Sequence, residues 1–307
     1  MGLSTDKQTL RKRTTMKLRF SALFALVLFA MTLNAQSPTF EWVAQMGDSA
    51  AESGRVVTTD VHGNVYTTGK FHGTVDFDPG PAVYNLVAPW GTDAFIQKLD
   101  SNKNLIWAKN ITGPSSSNSG ESIVIDPNGN VLITGAFDGT ADFDPGPGIF
   151  NLTSLGVTDI FVWKLDMNGN FLWARQMGGP SASTAESIAT DANGNIYLTG
   201  EFLQSVDFDP GSGTVNLTSN GDWDIFVMKL DANGNYLWAN QIGSTGGDQG
   251  HAIAVDANGN AYVTGLFRGT VDFDPGQGTT NLTSRGWYDI FVQKLDCLLY
   301  TSDAADD

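Results

Sequence analysis

Cysteine is all but missing: the single one, Cys297, falls in the last eleven residues. A lone thiol offers no disulfide framework and no thiolate zinc site. Histidine is scarce as well, with His62, His72 and His251 standing apart. Cations are outnumbered, 17 Lys and Arg against 33 Asp and Glu, for a net charge of −16. A chain this acidic is repelled by nucleic acid and by anionic membrane surfaces, so neither is an expected partner. No stretch shows helical periodicity with caps. Ser/His/Asp, HExxH, phosphate-loop and dinucleotide signatures are also absent.

The one long apolar run, Phe20 to Leu33, is shorter than the ~20 residues a membrane-spanning helix needs. Lys17 and Arg19 precede it and Asn34-Ala35-Gln36 follows, which is the pattern of a secretory signal peptide. Met16 reads as the natural start, with residues 1–15 upstream of it and cleavage after Ala35. Residues 1–35 are therefore taken as extension plus signal peptide, and no membrane insertion is expected after cleavage. At the other end, residues 297–307 fit neither the alternation nor the turn chemistry before them. They read as a non-native tail, the translation of a sequencing adapter.

What is present in quantity is repetition. Asp60, Asp126, Asp191 and Asp256 each open an Asp-x-x-Gly-Asn element, and Asp-Phe-Asp-Pro-Gly recurs from Asp76, Asp142, Asp207 and Asp272. Lys-Leu-Asp ends at Asp100, Asp166, Asp231 and Asp296 in the same register. Such self-similarity marks a repeat architecture. In the third copy, Glu186–Thr190, Ile196–Phe202, Asp224–Leu230 and Tyr236–Ile242 read as strands. Asn-Gly turns join the first to the second and the third to the fourth.

Four antiparallel strands per repeat make the blade of a β-propeller. The chain is read as all-β, four repeats of about 65 residues in a truncated propeller spanning residues 36–296. Blades are placed at about 48–112, 113–178, 179–243 and 244–296, with a strand over 40–46 from a shared closing blade. A right-handed superhelix of strands is the alternative. Small residues in the first strand suit the crowded axis, and Trp42, Trp107, Trp173 and Trp238 suit the wider rim. Strand direction puts the tight turns on one face and the long, variable connections on the other, where binding residues are expected.

Asp-x-x-Gly-Asn-x-Tyr-x-Thr-Gly, Asp-Ile-Phe-Val-x-Lys-Leu-Asp and the Trp-Ala of the fourth strand resemble the bacterial β-propeller repeat family known as SBBP. The Val-Asp-Phe-Asp-Pro-Gly insertion is similar to a variant in secreted proteins of Bacteroidetes-type bacteria. The resemblance covers about residues 40–296. It implies a secreted or surface-attached propeller with no common enzymatic activity.

Two sets of residues are candidates for chemistry. In Asp-Phe-Asp, positions two apart share a face, so Asp76 and Asp78 project together about 7 Å apart. Asp142 with Asp144, Asp207 with Asp209, and Asp272 with Asp274 do the same. These pairs could contribute to a calcium site, the only cofactor the sequence suggests. The competing reading has the central Phe in the core and the carboxylates clamping a turn. The second set is Trp90, Trp223, Trp287 and Tyr288, which lie where the repeats differ, just before each third strand. Loop aromatics suit a glycan or an extracellular protein partner, and rim packing competes. The expected function is a secreted, extracellular or cell-surface binding module without catalysis. A structural spacer and a polysaccharide-cleaving enzyme are the alternatives.

Overall fold

A hairpin closed by one carboxylate starts each repeat. The computed structural model describes residues 38–47, 51–113 and 117–296. In it, Asp191 Oδ1 accepts the backbone N–H groups of Asn193 and Asn195, each at 2.9 Å, while Oδ2 accepts the Asn195 side-chain amide at 2.7 Å. Gly194 takes φ 79°, the left-handed conformation such a turn needs. Asp60, Asp100, Asp126, Asp166, Asp231 and Asp256 hold their turns the same way. These oxygens are satisfying turn backbone, the hairpin reading of the motif.

The strands pair antiparallel in chain order. Ser53–Thr59, Val65–Asp76, Asn85–Leu99 and Leu105–Asn110 form the first sheet. Ser119–Ile125, Val131–Phe137, Asp159–Leu165 and Phe171–Met177 form the second, and Ser183–Thr190, Ile196–Phe202, Asp224–Leu230 and Tyr236–Ile242 the third. The fourth has three strands, Gln249–Val255, Ala261–Phe267 and Asp289–Leu295. No helix occurs among the described residues. Chain-order pairing places all tight turns at one end of each sheet and the long connections at the other.

Two features depart from the sequence reading. The long connection contains a short ribbon of its own, Ser205–Asp207 against Asn216–Thr218 in the third repeat. In the first repeat this ribbon is continuous with the sheet, giving strands of 12 and 15 residues. The stretch Phe40–Met46, expected to be a strand, has no strand assignment. Met46 instead packs beside the Phe71, Phe77 and Phe95 cluster of the first sheet, and apolar contact there takes the place of an edge-strand ladder. The expected signal peptide and the tail after Asp296 lie outside the described residues.

The Thr-Gly pair in each second strand has a mechanical role. Thr199 Oγ1 donates to the Phe226 carbonyl at 2.8 Å across the sheet. A Cβ on Gly200 would stand 2.1 Å from the Thr184 carbonyl oxygen, so no side chain fits. The approach is this close because the first strand bulges there, skipping Glu186 between Ala185 and Ser187. The other first strands bulge at Arg55, Glu121 and His251.

Successive sheets bury apolar faces against each other. Ile160 and Val162 of the second sheet share a core with Phe202, Phe208 and Phe226 of the third. Ile225 and Val227 of the third do likewise with Val263, Phe267 and Phe291 of the fourth. Each such side chain contributes roughly 1.5–3 kcal/mol when fully buried. Near the axis, small hydroxyls tie neighbouring first strands: Ser122 Oγ accepts Ile188 N–H at 3.3 Å and Ser187 Oγ accepts Ile253 N–H at 3.2 Å.

Buried lysines link the first sheet to the second and the second to the third at the tight-turn end. Lys164 Nζ lies 2.8 Å from Asp126 Oδ2, in its own repeat, and donates to the Ala232 carbonyl of the following repeat at 3.1 Å. Lys98 donates to the Met167 carbonyl at 3.0 Å, and Trp107 Nε1 reaches the same oxygen at 3.3 Å. Burial favours the neutral acid at Asp126, yet the Lys164 ammonium and the Asn130 amide hold it below the usual carboxylate range. Removing one partner of such a pair strands the other. Lys164→Met is expected to lower unfolding free energy by about 3 kcal/mol in urea titrations, with Asp126→Asn in the same chain restoring part of the loss.

Candidate ligand-binding face

The Asp-Phe-Asp carboxylates turn inward to their own loop. Asp207 Oδ1 accepts the N–H groups of Asp209 at 3.0 Å and Val215 at 2.8 Å, and Asp209 Oδ1 accepts Gly211 N–H at 2.8 Å. Asp76 with Asp78, Asp142 with Asp144, and Asp272 with Asp274 repeat this geometry. Phe208 between them is buried edge-on to Phe202, ring centres 5.3 Å apart. Among the described residues no three acidic or histidine side chains are grouped to hold a metal ion. Oδ1 of each carboxylate thus clamps its own turn.

The four loop aromatics are divided between junctions. Trp90 is 69% exposed beside Val87 and Pro89, above a crevice shared with Thr112, Thr140 and Asn151 of the second repeat. Trp223 is half-buried, and its carbonyl accepts Asp248 N–H at 2.7 Å, which makes it part of the backbone joint between the third and fourth sheets. Trp287 is 75% exposed, with the Arg268 guanidinium 4.7 Å from its ring centre. Tyr288 follows it, also exposed. Trp287 thus stands beside Arg268, which lines the cleft between third and fourth repeats, while Trp90 belongs to a different crevice.

Buried aspartates brace these loops from below. Asp224 Oδ2 accepts Asn220 N–H at 3.0 Å and the Gln241 side-chain amide at 2.5 Å, and Asp248 accepts Ser244 and Arg268 N–H, each at 2.7 Å. Both are fully buried. Burial pushes the Asp224 carboxyl up to about 6, with the charges of Asp248 and Asp222 adding to it. Burial also pushes Asp93, at the equivalent place in the first repeat, up to about 7 against the pull of Asn110.

A charged row that the sequence reading passed over lines the bulges of the first strands. Arg55 Nε sits 3.3 Å from Glu121 Oε2, and Ser119 Oγ also bonds Glu121. Burial raises Glu186, and the Glu121 charge raises it further while Arg55 lowers it. Glu201 is pushed up to about 7 by burial and then by the Glu186 charge. The signal was available: the bulge position reads Arg55, Glu121, Glu186 and His251 in the four repeats, so it varies as the loop aromatics do.

These environments set the response to pH. Asp93, Asp224 and Glu201 bind a proton more tightly folded than unfolded. Their stabilising effect is full below about pH 4 and is lost as pH rises through 6 to 7. The turn carboxylates Asp126 and Asp166 are depressed, so their effect is present above about pH 4 and lost below it. The thermal midpoint is expected to peak between about pH 4 and 6. Asp224→Asn is expected to flatten the decline on the alkaline side, as followed by scanning calorimetry.

Known proteins can now be set beside this geometry. Residues 172–201 and 237–266 match the family SBBP, described as a beta-propeller repeat. Two stretches of the chain are thus SBBP β-propeller repeats. Both matched stretches run from the fourth strand of one sheet into the first two strands of the next, so the family pattern spans the junction. An uncharacterized WD repeat-containing protein, L264, of Acanthamoeba polyphaga mimivirus is 28% identical over 208 residues, 59% of this chain and 15% of its own length. The regulatory protein FlaEY of Caulobacter vibrioides is 28% identical over 178 residues, 57% of this chain and 18% of its own. The chain therefore aligns with less than a fifth of either relative. A crystal structure of a protein of unknown function from Bacteroides caccae superposes with a TM-score of 0.31 at 12% identity, covering 76% of this chain and 73% of that one; at that score it carries no argument.

Proposed function

We propose that the SBBP repeats form a secreted, extracellular or cell-surface binding module, without catalysis, whose long-loop face holds a glycan or protein partner. The observation that carries this is the exposure of Trp90 and Trp287 on the long-loop face, where buried Asp224 and Asp248 hold the neighbouring backbone of Asn220 and Arg268. Large aromatic rings left in water on a rigid support are the usual anchors of a binding surface. Relatives named as a WD repeat-containing protein and a regulatory protein suit an interaction role. Export is supported by the leader-like pattern before Gln36. The chain is to be applied to arrays bearing defined oligosaccharides on one half and purified extracellular proteins on the other. Trp90→Ala, Trp223→Ala and Trp287→Ala together are expected to abolish capture without moving the melting curve. Undiminished capture by that variant rejects the face.

One observation favours a second reading, polysaccharide cleavage: burial raises the proton affinity of both Glu186 and Glu201, the Glu186 charge raises that of Glu201 further, and Glu121 and Arg55 act on Glu186. Two carboxyls held in different protonation states are what glycoside hydrolysis employs. Reducing-end release from soluble polysaccharides, lost in Glu201→Gln, would establish this reading; no release by the unaltered chain dismisses it.

A further inference from the structure

The cleft between the third and fourth repeats is built differently from the rest of the long-loop face. It measures about 690 Å³ and is lined by Asn220, Asp222, Ser244, Thr245, Arg268 and Thr270. Its walls are immobilised: Asp248 holds the backbone of Ser244 and Arg268, Asp224 holds that of Asn220, and Ser244 Oγ donates to the Arg268 carbonyl at 2.6 Å. Across one wall Arg268 stacks on Trp287, whose ring is otherwise open to solvent. Among the described residues no carboxylate lies within ion-pair distance of the Arg268 guanidinium. Asp222 Oδ1 accepts Trp223 N–H at 3.0 Å, which leaves Oδ2 as an acceptor at the opposite lip.

We propose that this cleft is a subsite for a neutral oligosaccharide, with Trp287 as the stacking platform and Arg268 and Asp222 as the groups that read ring hydroxyls. The assignment rests on the reading of the long-loop face as the binding face and narrows it to one class of ligand. A sugar ring presents an apolar C–H face and a rim of hydroxyls that both donate and accept. The complement is an exposed indole at the edge of the cleft, with the Arg268 guanidinium as donor over its ring and the Asp222 carboxylate as acceptor in the cleft wall. Charge decides against an acidic sugar. Asp222 already raises the proton affinity of Asp224 and Asp248, so the local potential is negative, as is the chain at −16. A protein partner fits less well, because hot spots are apolar centres sealed from water and this cleft is polar along its floor.

Cellohexaose, xylohexaose and mannohexaose are to be titrated separately into the full chain, followed by tryptophan fluorescence and calorimetry. At least one is expected to bind. Trp287→Ala and Arg268→Ala are each expected to weaken it about tenfold, the loss that about 1.4 kcal/mol of contact would give, with Trp287→Phe retaining more. Val61→Ala, 96% exposed in a tight turn at the opposite end of the sheet, is expected to stay within about twofold on the same scale. Melting curves matching the unaltered chain show that each variant is folded. Absence of binding by all three sugars, binding indifferent to Trp287→Ala, or equal loss in Val61→Ala overturns the assignment. If the sugars fail while the triple tryptophan variant still loses capture on the protein half of the array, the saccharide assignment falls and the binding face stands.

Discussion

The buried lysines Lys98 and Lys164, near the ends of the third strands of the first two sheets, are the joints on which the packing of the first three sheets depends. A four-stranded sheet of this length has two apolar faces and cannot keep both wet, so each repeat is completed by its neighbours. Hydrophobic contact alone would let neighbouring sheets slide, since it is non-directional. Lys98 and Lys164 remove that freedom. Each belongs to one sheet and donates to a turn carbonyl of the next, with Lys164 also paired to the turn carboxylate of its own repeat. The lysine therefore specifies which turn lies against which sheet, and Trp107 adds a second donor to the same carbonyl.

Those joints lie wholly at the tight-turn end, which explains the division of labour between the two ends of the sheets. Residues that recur in every repeat, the turn aspartates, the Thr-Gly pair and the Asp-Phe-Asp phenylalanines, with the lysines of the first two repeats, are engaged in closing turns or filling the core. None of them is available for a partner. At the opposite end the same position holds Gly91, Val157, Asp222 and Trp287 in turn, and the supporting aspartates keep these loops in place whatever they carry. A scaffold this redundant tolerates loop change, because loop residues take little part in the cores between sheets.

Much of this was legible in the residues. Alternation and Asn-Gly punctuation place the second, third and fourth strands of the third repeat where they are found, at Ile196–Phe202, Asp224–Leu230 and Tyr236–Ile242. What escaped did so for definite reasons. The Ser205–Asp207 ribbon is three residues long, too short for any period to show. The bulges at Arg55, Glu121, Glu186 and His251 leave no mark on the strand pattern itself, and only the glycine opposite each, Gly200 for Glu186, encodes the close approach. Phe40–Met46 carries the alternation of a fourth strand, yet a strand also needs an edge to pair with, and that is a property of the partner.

The motif Asp-Ile-Phe-Val makes the same point from identical residues. Ile160 with Val162 and Ile225 with Val227 are fully buried, while Ile290 and Val292 are each 78% exposed. Nothing in the local sequence separates the three; the difference is whether another sheet's first and second strands lie against that face. Burial here is a nearest-neighbour quantity, and so is stability. The third sheet, covered on both faces, is held more firmly than the fourth, which leaves two β-branched side chains in water that would contribute roughly 1.5–3 kcal/mol each if covered. The cleft bearing Asp222 and Arg268 lies between these two sheets. One wall belongs to the most constrained part of the chain and the other to a less constrained one. A ligand spanning both walls would therefore favour the state in which the fourth sheet stays docked, so occupancy of the cleft and stability of that sheet are thermodynamically linked.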